Sequence, residues 1–125
     1  TVKFLLLMRR PIDTVTDYFW PNSGFVDIRL ENMINACYKL QHDLFRLKKS
    51  SVLCVDYESY YNETVQYSIS NFMETYVGDT IKRLYKPRPL KTLQSYSYFS
   101  NMDNKTKIKY NIYEKCMINI KNIWC

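Results

Sequence analysis

A long repeat of apolar residues between positions 26 and 47 constrains the fold of this chain more than any other feature. The intervals alternate between four and three residues, at Val26, Leu30, Met33, Cys37, Leu40, Leu44 and Leu47. An α-helix has 3.6 residues per turn, so this spacing places all seven side chains on one side of a helix. Ile34 and Phe45 widen this stripe, and polar residues cover much of the remaining surface. We therefore predict an amphipathic helix from Phe25 to Lys49.

A second amphipathic helix is predicted from Tyr60 to Tyr85. Its stripe consists of Val65, Ile69, Phe72, Tyr76 and Leu84. Asn62 is suited to the helix start, because its short polar side chain can accept a hydrogen bond from a free N–H group of the first turn. Gly78 lies inside the pattern and marks a kink or an early end. The segment Lys86-Pro87-Arg88-Pro89 must end the helix, since proline lacks the backbone donor.

A third amphipathic helix is predicted from Asn104 to Trp124, with Asp103 as its cap. Its stripe consists of Ile112, Tyr113, Cys116, Ile120 and Ile123. The alternative for the start of this segment is a strand, because apolar residues at 108, 110 and 112 alternate with polar residues. The later spacing favours the helix.

Shorter elements lie around these three helices. A short helix is predicted from Asp13 to Trp20, between two prolines, and the apolar run Phe4–Met8 is predicted to pack in the core as a short strand or a helix end. Leu93–Phe99 is predicted as a short strand or an ordered loop. The chain has only two glycines, which disfavours hairpin-rich β folds and glycine-rich phosphate loops.

The predicted fold is therefore mainly α. It is a small helical bundle of three long amphipathic helices with a short N-terminal element and room for one or two short strands. None of the three apolar stripes can be buried alone, so each must face the others. We expect residues 1–125 to form a single helical domain, which is an ordinary size for one domain.

The four cysteines are Cys37, Cys54, Cys116 and Cys125, and none of them forms the close spacing of a zinc knuckle or a redox motif. Three pairings are possible. Cys37 and Cys116 lie on the inner stripes of their helices and can meet, which leaves Cys54 and the terminal Cys125 as a second pair. Each bridge would close a loop of about 70 to 80 residues. The alternative is four free thiols that pack as small apolar groups.

Charge is unevenly distributed along the chain. The net charge of +6 combines +3 over residues 1–49, −5 over residues 50–81 and +8 over residues 82–125. The densest basic segment is residues 82–91, with five positive side chains and an interleaved tyrosine. We predict it as a partner-binding site, with contact residues Lys82, Arg83, Tyr85, Lys86, Arg88 and Lys91. It suits an acidic protein surface, and nucleic acid is the less favoured partner. A solvated loop is the alternative interpretation.

Catalytic machinery is sparse. The only histidine is His42, and Cys37 with His42-Asp43 on one helix resembles the secreted phospholipases A2. That resemblance would imply that His42 activates water and that Asp43 helps to hold calcium. The spacing from Cys37 differs from the family pattern and the chain lacks the glycine-rich loop, so we reject this assignment. We predict a protein that is not an enzyme, with no cofactor and no metal.

Three further features bear on the compartment and on processing. Asn62-Glu63-Thr64 and Asn104-Lys105-Thr106 fit the N-glycosylation pattern. The alternative is chance, because a chain with ten Asn and seventeen Ser plus Thr is expected to contain one or two such triplets. The longest apolar run, Phe4–Met8, is far too short to span a bilayer. The chain begins at Thr1 without a methionine, which indicates a processed protein or a fragment of a longer one.

Together these features lead to two functional hypotheses. The first is a secreted, disulfide-linked glycoprotein that binds a protein partner and modulates immunity, as helical cytokines and the effectors of viruses or parasites do. Its resemblance to helical cytokines is architectural, and no motif supports it. The alternative is a basic intracellular subunit, or a fragment, of a larger assembly such as a ribonucleoprotein.

Overall fold

The computed structural model describes residues 2–19, 26–59, 62–76 and 99–125. Within these ranges the elements, in chain order, are β1 (Phe4–Met8), α1 (Pro11–Phe19), α2 (Val26–Phe45), β2 (Val52–Asp56), α3 (Glu63–Met73) and α4 (Asn104–Trp124). A short 3₁₀ turn at Lys49–Ser51 precedes β2. The fold is mainly helical with two short parallel strands, as the sequence predicted.

The chain divides into two compact units, each assembled from separate stretches of sequence. Unit 1 consists of Thr1–Arg9, Lys48–Leu90 and Trp124–Cys125, and contains β1, β2 and α3. Unit 2 consists of Arg10–Leu47 and Lys91–Ile123, and contains α1, α2 and nearly all of α4. The expectation that residues 1–125 form a single domain stays a prediction.

The two strands of unit 1 pair in parallel, with Phe4 opposite Val52 and Met8 opposite Asp56. Parallel strands need a long crossover connection, and residues 9–51 supply it here. Because successive side chains point to opposite faces of a strand, Leu6 and Met8 are buried. The sequence predicted a short strand or helix end at β1, and the strand is confirmed. The sequence does not predict a strand at Val52–Asp56, where the structure shows β2.

Helix α3 packs against β2 through Val55 and Ile69, which form a small buried core. Leu53, Tyr57 and Val65 lie around it, partly buried. The predicted cap is present at the start of the helix, where Asn62 Oδ1 accepts a hydrogen bond of 2.9 Å from the Thr64 N–H.

The predicted extent of this helix, to Tyr85, is wrong. Glu74 takes the left-handed conformation, with φ 57° and ψ 30°, and the helix ends at Met73. The Thr75 N–H donates to the Ser70 carbonyl at 3.1 Å, while the Glu74 N–H donates to the Asn71 carbonyl at 3.3 Å. This pair of bonds is a Schellman motif, which reverses the chain direction. Tyr76, which we had placed in the apolar stripe, is consequently 71% exposed. Residues 77–85 lie outside the described ranges, and so does all of the predicted strand or loop Leu93–Phe99 except Phe99.

Helix α2 of unit 2 confirms the central part of the long apolar stripe, since Leu30, Ile34, Cys37 and Leu44 are buried. The helix ends at Phe45, earlier than the predicted Lys49, and a turn follows it. Phe45 does not belong to the core, because it is 89% exposed. It is the last residue of the helix and lies beyond Leu44, the last buried residue of the stripe.

Helix α4 has the predicted bounds, and the strand alternative at its start is wrong. Asp103 caps it by accepting the Thr106 N–H at 2.7 Å. Hydrogen bonds from the Thr106 side chain and backbone lower the pKa of the Asp103 carboxyl. The buried side chains of the helix are Thr106, Tyr110, Tyr113, Cys116 and Ile120.

Two residues that we had placed in the α4 core are exposed, Ile112 by 40% and Ile123 by 51%. The two buried tyrosines explain the difference. Tyr110 and Tyr113 carry large apolar rings, and their burial turns the neighbouring isoleucine at 112 towards solvent.

Candidate functional site

The predicted partner-binding residues Lys82, Arg83, Tyr85, Lys86, Arg88 and Lys91 lie outside the described ranges. Their grouping in one basic site therefore stays a prediction from sequence. Among the described residues, the separate features that bear on function are two disulfides, a groove between α2 and α4, a buried polar cluster and an exposed helix face.

The first disulfide joins Cys37 on α2 to Cys116 on α4, with 6.4 Å between the Cα atoms. Both cysteines are buried, at 4% and 3% exposure, because both lie on the core sides of their helices. An ion pair of 3.5 Å between Lys109 and Glu31 provides a second link between the same helices. The bridge is thus part of the core of unit 2.

The second disulfide lies in unit 1 and joins Cys54 on β2 to Cys125, with 5.4 Å between the Cα atoms. Cys54 is partly buried and Cys125 is exposed. The prediction of two disulfides is confirmed, and each compact unit contains one of them. The alternative of four free thiols is wrong.

An open apolar groove of about 280 Å³ lies between α2 and α4. It is lined by Met33, Ala36, Cys37, Leu40, Tyr113 and Met117. The hydroxyl of Tyr113 is the polar side-chain group in this lining, and burial raises its pKa. Apart from this hydroxyl, the lining side chains present carbon and sulfur atoms, which makes the groove an apolar contact surface.

A buried polar cluster fixes the start of α1. Asp13 is only 1% exposed and accepts two hydrogen bonds from Arg10, at 2.6 Å from Nε and 3.0 Å from Nη2. Helix α1 begins at Pro11, so Asp13 lies in its first turn, where the helix dipole favours a negative charge. The predicted start of this helix at Asp13 is two residues late, because proline is well suited to the first helical position.

A second polar contact lies on the buried side of α4. The Tyr110 hydroxyl donates to Glu114 Oε2 at 2.6 Å, and the Phe99 ring packs edge-on against the Tyr110 ring. Burial, followed by the hydrogen bond to Glu114 and its charge, raises the pKa of Tyr110 far above its usual range. The phenol therefore stays protonated and acts as a hydrogen-bond donor within the fold.

The other residues singled out from sequence are at the surface. His42 Nδ1 lies 3.7 Å from Asp43 Oδ1, and both side chains are largely exposed on α2. Asn62 and Asn104, the two candidate glycosylation sites, are both exposed at the start of helices. Because Asn62 uses its Oδ1 for the helix cap, its Nδ2 remains available as the atom to which a glycan is attached.

An exposed face of α4 is the feature that sequence reasoning missed. Ile108 is 63% exposed, and it shares one side of the helix with the exposed Ile112 and Ile123. We had assigned the latter two to the core because they are apolar. A second stripe, through Thr106, Tyr110 and Tyr113, has equally good helical spacing. This stripe is the sequence signal that could have shown that Ile112 and Ile123 lie outside the core.

Comparison with known proteins found no matching family, no similar curated protein and no similar solved structure. None of the described helices has the length and apolar character needed to cross a membrane. Across the described ranges, no group of three or more His, Cys, Asp or Glu side chains is placed to hold a metal ion.

Proposed function

We propose that this protein is secreted and acts without catalysis, as a disulfide-linked helical protein that binds another protein. The observation that carries the proposal is the presence of one disulfide in each compact unit. Disulfides persist in oxidising compartments and are rare in the reducing cytosol. Helical cytokines and the immune effectors of viruses or parasites are the class of protein with this combination of architecture and disulfides.

The two glycosylation triplets support the same compartment. Secretory proteins receive N-glycans on exposed asparagines, and both Asn62 and Asn104 are exposed. A glycoprotein is therefore consistent with the geometry at both helix starts.

The partner is expected to present an acidic surface. The last third of the chain has a net charge of +8, and α4 contributes five lysines against one glutamate. The electrostatic field of these positive charges accelerates association with a negatively charged protein. Within this proposal, the basic segment 82–91 supplies the contact residues Lys82, Arg83, Tyr85, Lys86, Arg88 and Lys91.

Charge reversal in this segment tests the proposal. The purified protein is immobilised and exposed to a detergent extract of cell-surface proteins and, separately, to total RNA. We expect it to retain an acidic protein, and we expect Arg88→Glu with Lys91→Glu to slow association about tenfold or more and to weaken its salt dependence. Association rates of the purified partner, measured by surface plasmon resonance over a range of salt concentrations, give both quantities.

The matched control is Lys48→Glu with Lys49→Glu, which changes the net charge equally at two exposed positions outside the segment. Equal rates for the two double variants would show that only net charge matters and that the segment is not the site. Retention of RNA in place of a protein would support the intracellular alternative.

A further inference from the structure

We propose that the exposed face of α4, here called the isoleucine face and defined by Ile108, Ile112, Lys115, Asn119 and Ile123, docks directly onto the acidic protein partner. This inference rests on the proposed function and assigns to it a surface that the sequence analysis did not identify. The partner is expected to present an apolar patch bordered by carboxylates.

The geometry of the helix brings these residues together. Each residue of an α-helix advances by about 100°, so positions 108, 112 and 123 fall within about 60° of one another. Their side chains are 63%, 40% and 51% exposed. Isolated exposed apolar residues are common on protein surfaces, but a row of them bordered by polar groups is typical of an interaction site.

The charge on this face determines which partner fits. Lys115 and Asn119 are both exposed and project between the isoleucines. The one acidic residue of the helix, Glu114, lies on a different side and accepts the Tyr110 hydroxyl. The isoleucine face therefore combines apolar and cationic groups without a carboxylate of its own, which complements an acidic surface.

The core beneath the face holds it in place. Tyr113 and Ile120 are buried at least about 100° around α4 from the centre of the face. The disulfide from Cys116 to Cys37 anchors the middle of the helix. A face on a rigid helix loses little conformational entropy when it binds, which favours affinity. Asn104 lies about 12 Å along the helix from Ile112, so a glycan there would border the face at Ile108 rather than cover its centre.

Four single variants on the same helix test the proposal. Ile112→Ser and Lys115→Glu alter the isoleucine face. Their controls are Ile118→Ser, at a residue that is 43% exposed, and Lys121→Glu, at another exposed lysine. Both control positions project at least 100° away from the centre of the face. Because all four side chains are exposed, the melting temperatures are expected to match that of the unmodified protein.

The measurement is the affinity of each variant for the partner isolated with the immobilised protein. We expect Ile112→Ser to raise Kd about tenfold or more, and Lys115→Glu to raise it about fivefold, chiefly by slowing association. Ile118→Ser and Lys121→Glu should change Kd less than about twofold. Equal effects at 112 and 118 would overturn the isoleucine face while leaving the proposed function intact.

The experiments also distinguish two other binding partners for the face, a second copy of the chain and a lipid surface. If sedimentation shows a dimer that Ile112→Ser dissociates, the face binds a second copy of the chain and the inference is wrong. Binding to vesicles of phosphatidylserine and phosphatidylcholine that is lost in Ile112→Ser would identify a lipid surface instead. If the immobilised protein retains no acidic protein at all, the proposed function fails, and this inference fails with it.

Discussion

Replacement of Cys37 and Cys116 together by alanine is expected to lower the free energy of unfolding by about 4 kcal/mol. The two residues are 79 apart in sequence, so their bond greatly restricts the unfolded chain. Both side chains are also buried, and their truncation leaves the core between α2 and α4 less well packed. In a chain of this size the loss corresponds to a decrease in Tm of roughly 15 °C.

Chemical denaturation followed by far-UV circular dichroism measures this loss. The second disulfide is the natural comparison, because Cys54 and Cys125 are 71 apart and the entropic contribution is nearly equal. Since Cys125 is exposed, a mild reductant should break the Cys54–Cys125 bond before the buried Cys37–Cys116 bond. A loss below about 1 kcal/mol for the Cys37 and Cys116 replacement would contradict the structural role assigned to this bond.

The second large effect is expected at Asp13. Asp13→Ala should lower the free energy of unfolding by about 2 to 3 kcal/mol, because it removes a buried carboxylate that accepts two hydrogen bonds from Arg10. The value lies below that of a fully buried ion pair, since the Arg10 side chain is 46% exposed and can be hydrated in the variant.

A double-mutant cycle, measured by urea denaturation, separates the free energy of the Asp13–Arg10 contact from that of the other contacts of the two residues. Asp13→Ala and Arg10→Ala together should destabilise less than the sum of the single variants, since both remove the same contact. Asp43→Ala is the matched control, because its carboxylate is largely exposed on α2, and its effect should stay within about 0.5 kcal/mol. Additive losses in the cycle would mean that Asp13 is stabilised by other groups.

Periodicity allowed the prediction of the elements that depend on local sequence. The stripe of α2 was recognisable because a helix stabilised by burial of one side repeats every 3.6 residues. The same stripes placed Cys37 and Cys116 on facing sides, so their disulfide could be anticipated. The cap at Asn62 was likewise readable, since a short polar side chain at a helix start has a definite partner.

Long-range pairing and the shape of the core escaped that reasoning. Strand β2 forms because β1, more than 40 residues earlier in the chain, pairs with it. The local sequence of β2 does not predict this pairing. The end of α3 depends on a left-handed glutamate at position 74, a conformation for which glycine or asparagine is the usual signal. The isoleucine face was missed because Ile112 and Ile123 were assigned to the core on hydrophobicity alone.

We propose that the protein functions in an oxidising compartment with both disulfides formed. Intact mass tests this proposal, on protein taken from its natural source and denatured at once in N-ethylmaleimide without reductant. We expect that no cysteine is alkylated before reduction, and that all four are alkylated after it. Four alkylated cysteines before reduction would contradict it and would favour the intracellular alternative.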